Sequence, residues 1–68
     1  MSIKMERDEM IDDLKLTWRG IMRLDPEAQI NINEAETMWK TLDDERLMHN
    51  YNGARAVLWR LLSTPKNG

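Results

Sequence analysis

An apolar stripe running without interruption from residue 44 to residue 62 constrains this chain more than any other feature. At about 100° per residue, Leu47, Met48, Tyr51, Ala54, Val57, Leu58, Trp59, Leu61 and Leu62 share one arc of roughly 200° on a single helical wheel. An arc that wide exceeds what one neighbouring helix covers. The stripe therefore predicts a third helix over about 44–62 that meets either both other helices or a second copy of the chain. Asp43 or Asp44 is its natural cap. Asn52-Gly53 resembles a turn dipeptide, but a turn would not normally preserve helical phase, and Gly inside a helix costs only about 1 kcal/mol relative to Ala. The expectation is one continuous helix through Gly53, stopped by Pro65, with residues 64–68 as a frayed tail.

Two earlier segments repeat the helical period, and none alternates with the period of two that marks a strand. Over about residues 4–24, Met10, Ile11, Leu14, Thr17, Trp18, Ile21, Met22 and Leu24 fall within one arc of roughly 160°. Asp12, Asp13, Arg19 and Arg23 take the other side, and Leu16 stands alone there. Asp25-Pro26 reads as a turn or a one-turn helix, because Pro suits a first helical position. Asn33 followed by Glu36 reads as a capping pair, predicting a helix over about 34–42 with Ala35, Met38, Trp39 and Leu42 on its apolar side. The fold class expected is all-α, a single domain over 1–68 built as a small helical hairpin or three-helix bundle. Short loops favour antiparallel neighbours.

Size explains why self-association is expected to complete this fold. A chain of 68 residues buries only about 60% of its unfolded surface and retains roughly 3–5 kcal/mol of core stability. It has no Cys and a single His, so disulfides and thiolate zinc sites are excluded as staples. Three Trp and six Met must supply much of the burial in the absence of Phe. A homodimer is the expected state. The charged N-terminal stretch does not have the form of a signal peptide, and no run of eighteen apolar residues occurs, so a cytoplasmic protein without a membrane partner is expected.

Net charge is −2, which gives no bulk attraction to nucleic acid. Its distribution is uneven: residues 51–68 carry Arg55, Arg60 and Lys66 and no acid. A nucleic-acid-associated accessory factor using this basic third is the alternative reading, although Arg55 and Arg60 stand amid Val57, Leu58, Trp59, Leu61 and Leu62, which have the composition of a core.

Residues Asp25, Glu27, Gln29, Asn33 and Glu36 resemble an EF-hand calcium loop, matching oxygen ligands at positions 1, 3, 5, 9 and 12, with Ile32 at the apolar position. Ile30 replaces the glycine that the sharp turn of that motif needs. Helix capping accounts for the same residues, so no metal or cofactor is expected, and a degenerate EF-hand-like calcium binder ranks third.

Catalysis finds no constellation. His49 lies on the outer side of the third helix without an orienting group, and adjacent acids such as Asp12-Asp13 point apart on a helix. The three glycines, at 20, 53 and 68, form no phosphate loop. No catalytic residue is expected, and the function anticipated is a non-enzymatic interaction module that regulates or inhibits a larger protein by occluding a surface. Its economy is that of small bacterial and phage accessory proteins. The expected contact residues are Trp59 at the edge of the apolar arc, Arg55 beside it, and His49, Gly53, Ala56 and Arg60 on the outside of the third helix, where two small residues permit close approach. Leu16 is a lesser candidate.

Overall fold

The computed structural model describes residues 5–63 as three helices: α1 Arg7–Leu24, α2 Ile32–Thr41 and α3 Asp44–Ser63. They form a small all-α three-helix bundle. The expected tail, with Pro65 and Lys66, lies outside the described residues.

Helix α1 starts later than the expected Lys4. Glu6 is its N-cap in extended conformation, and the Glu6 N–H donates to the Glu9 carboxylate at 3.3 Å, so Met5 and Glu6 stay outside the helix. Asp8 and Glu9 then occupy the first turn, where the positive end of the helix dipole favours them. At the other end the Asp25 side chain accepts from Glu27 N–H at 3.1 Å, a local turn that makes further helix unnecessary, while Gln29 donates to the Met22 carbonyl at 3.3 Å.

The expected capping pair of α2 is corrected by two residues. Asn31, not Asn33, accepts from the Glu34 N–H at 3.1 Å, and the Asn33 carbonyl is already helical, accepting from the Thr37 hydroxyl. Glu36 does not reach back to a cap because lysines on two helices hold it: Lys15 at 3.2 Å and Lys40 at 3.5 Å. The Lys15 hydrogen bond, foremost, keeps the Glu36 carboxyl below its usual range against the opposing effect of burial. Its stabilising contribution is present above the unfolded-state value and is lost as pH falls through the folded one.

Helix α3 follows after two residues, with the Asp43 carboxylate accepting from Arg46 N–H at 2.8 Å as its cap. It continues through Gly53 in a single helix, as the unbroken phase of the stripe implies.

The sequence offset between touching residues gives the topology. Arg7 meets Asp44 at 2.6 Å, Tyr51 donates to Asp13 at 2.5 Å, and Gly20 lies beside Leu58, so α1 and α3 run parallel at an offset of 37 to 38 residues. Helix α2 returns along the other side of α1, antiparallel to it, pairing Glu36 with Lys15 and bringing Lys40 and Leu42 to Arg7. Consecutive helices are therefore antiparallel, as the short loops imply, and this up-down-up order makes α1 and α3, the most extensively packed pair, parallel. Arg7 closes the crossover, its guanidinium bonding the Asp44 carboxylate and, at 2.6 Å, the Leu42 carbonyl at the α2–α3 corner.

The core consists of Met10, Ile11, Leu14 and Ile21 from α1, Trp39 from α2, and Leu47 and Ala54 from α3. Thr17 is buried among them. Because α1 is flanked by both other helices it supplies most of these residues. The molecule is flat, 15 Å through its thinnest direction. A slab leaves apolar residues uncovered: Leu24 and Met38, expected in the core, are exposed, as are Met48, Val57, Trp59 and Leu62 of the α3 arc.

Candidate interaction surface

The candidate residues separate into two groups by their phase on α3. His49, Gly53, Ala56 and Arg60 recur at three- and four-residue intervals and are all exposed, on the edge of α3 turned away from its buried Leu47–Ala54 side. A Cβ placed on Gly53 would meet nothing within 4 Å, so this edge is open to close approach. A surface depression lined by Leu42, Glu45, Arg46, His49 and Asn50 adjoins its N-terminal end.

Trp59 and Leu16 make the second group. Trp59 is 65% exposed and Leu16 62%, the two most exposed large apolar side chains together with Leu62 at 62%. The contacts that orient α1 and α3, Asp13 with Tyr51 and Gly20 with Leu58, set the phase of both helices. From that phase, Leu16 and Trp59 project from the same broad face of the slab, opposite the side where Leu14 is buried. The sequence names both as contact candidates without relating them, because only the packing of α1 on α3 brings them to one face.

Arg55, also expected in the contact set, is turned toward α1. Its guanidinium lies 3.4 Å from both the Asp13 carboxylate and the Tyr51 hydroxyl, and 5.6 Å from the centre of the Tyr51 ring. Tyr51 in turn donates to Asp13. That bond, with burial and the Asp13 charge reinforcing it, pushes the Tyr51 phenol above its ordinary value, while Arg55 opposes the shift. A raised folded-state value means that the stabilisation is complete below the unfolded-state pKa of about 10 and is lost as pH rises beyond it. Tyr51 is the chain's only tyrosine, so tyrosinate absorbance reports it alone. The titration midpoint is expected to lie higher in the folded protein than in urea, and coincident midpoints would mean that the Tyr51–Asp13 bond does not form.

The loop from Asp25 to Glu36 is engaged in capping and ion pairing, as described above. Among the described residues, no group of three or more His, Cys, Asp or Glu is placed to hold a metal ion. No helix among them is long and apolar enough to cross a membrane. A depression of about 570 Å³ at the N-terminal ends of α1 and α3 has Met5, Met10, Leu47 and Met48 in its walls, with the Arg7–Asp44 pair at its rim.

No family model matches the sequence, and neither a curated protein nor a solved structure matches the chain.

Proposed function

We propose that this chain is a non-enzymatic interaction module that binds a larger protein and regulates or inhibits it by occluding a surface, acting in the cytoplasm in the manner of small bacterial and phage accessory proteins. The observation that carries the reading is the open outer edge of α3, where Gly53 and Ala56 lie between His49 and Arg60. Small residues permit a partner's backbone to come close, and the polar arms supply hydrogen bonds. The competing reading, a nucleic-acid accessory factor using Arg55, Arg60 and Lys66, receives less support because Arg55 is engaged with Asp13.

Capture on immobilised chain, after nuclease treatment, tests the two readings against each other. One larger protein is expected to be retained, to form a stoichiometric complex when both components are purified, and to be lost with the Ala56→Arg bait. Retention that requires nucleic acid and weakens steeply with salt would instead establish the accessory-factor reading.

A further inference from the structure

The broad face that carries Leu16 and Trp59 has a charge order that determines what fits it. Along the exposed back of α1, Glu9, Asp12, Leu16, Arg19 and Arg23 follow one another at intervals of three and four residues, a single stripe with acids at one end, a leucine at its centre and arginines at the other. All five are exposed. Among the described residues, neither Arg19 nor Arg23 forms an ion pair, and Asp12 pairs only with Lys15, at 3.9 Å. The stripe is complementary to its own reverse. A second copy turned by a two-fold axis through Leu16, with its helices antiparallel to the first, sets Arg23 against the partner's Glu9 and Arg19 against the partner's Asp12, twice over.

Helix α3 obeys the same symmetry. At the 38-residue offset, the level of Leu16 on α1 corresponds to Ala54 on α3, with Trp59 five residues beyond it and Met48 six residues before it. Trp59 and Met48 are both exposed and lie within about 20° of each other on the wheel. The rotation that pairs the α1 stripes therefore lays Trp59 over the partner's Met48, a thioether against an indole. Arg55, the cation nearest the axis on this side, has its charge compensated by Asp13.

We infer that the Leu16–Trp59 face is an isologous dimer interface in which two copies pack face to face with antiparallel helices about Leu16. This rests on reading the chain as an interaction module and assigns its broad face to self-association, leaving the outer edge of α3 for the larger partner.

Light scattering over a dilution series, with far-UV circular dichroism on the same samples, tests it. The unaltered chain is expected to be a dimer, and Leu16→Arg, which places two cations across the axis at an exposed position, is expected to raise the dissociation constant at least about tenfold with helicity retained by the monomer. Arg19→Glu is expected to do the same. Combining Arg19→Glu with Asp12→Arg reverses the stripe's inner charges and is expected to recover most of the loss. A chain that remains monomeric at its highest concentration overturns the inference, as does a dimer indifferent to Leu16→Arg or a charge swap that restores nothing. Loss of partner capture by Ala56→Arg belongs to the outer edge and is read independently of these outcomes.

Discussion

Trp39→Ala is expected to leave about half of the molecules unfolded at room temperature, whereas Trp59→Ala is expected to retain nearly all of its helix. Trp39 is 2% exposed and is the largest fully buried side chain of the protein, the one buried residue that α2 contributes. Removing a buried tryptophan costs about 3–5 kcal/mol through lost transfer energy and an unfilled cavity. A domain of this size has roughly 3–5 kcal/mol to lose. The two magnitudes are equal, so the unfolding free energy falls to near zero and the folded population to about half. Trp59, at 65% exposure, gives up little intramolecular burial, and its truncation should change monomer stability by no more than about 0.5 kcal/mol. Urea denaturation followed by circular dichroism separates the cases, and equal loss of helicity in both variants would remove Trp59 from the interaction surface.

Periodicity revealed those parts of the fold that depend on one helix at a time. The stripe of α1 identified Met10, Ile11, Leu14, Thr17 and Ile21 as buried and isolated Leu16 as exposed. The preserved phase of α3 placed Gly53 inside a helix, and Asp43 is its cap. What periodicity missed depends on contacts between helices. Asn33 with Glu36 is a sound local capping signal, but Lys15 from α1 competes for Glu36, and Asn31 makes the cap instead. The register of α1 against α3 likewise depends on Arg7 spanning 37 residues of sequence to reach Asp44, a pairing that no local pattern announces. The grouping of the candidate residues was half visible for the same reason. His49, Gly53, Ala56 and Arg60 share one helix and were found together, whereas the union of Leu16 with Trp59 requires two helices in register.

The unequal burial of α3 along its length leads to the second large effect. Leu47 is completely buried, Ala54 is 5% exposed, Leu58 and Leu61 are half-buried, and Leu62 is 62% exposed, so attachment to the core weakens toward the C-terminal end of the helix. Leu47→Ala is therefore expected to cost about 2.7–5 kcal/mol, the range for deleting a leucine side chain from a closed core. Leu62→Ala should fall within about 0.5 kcal/mol of the unaltered protein. The helicity that Leu47→Ala loses without denaturant, set against the nearly unchanged urea midpoint of Leu62→Ala, measures the gradient, and similar losses would mean that α3 is held evenly along its length. Amide exchange is expected to follow the same order, with the segment after Leu58 opening at lower free energy than the turn containing Leu47. This arrangement has a consequence for binding. The half of α3 that carries Ala56, Trp59 and Arg60 contributes little to holding the monomer together, so its side chains can be committed to another molecule without withdrawing burial from the core.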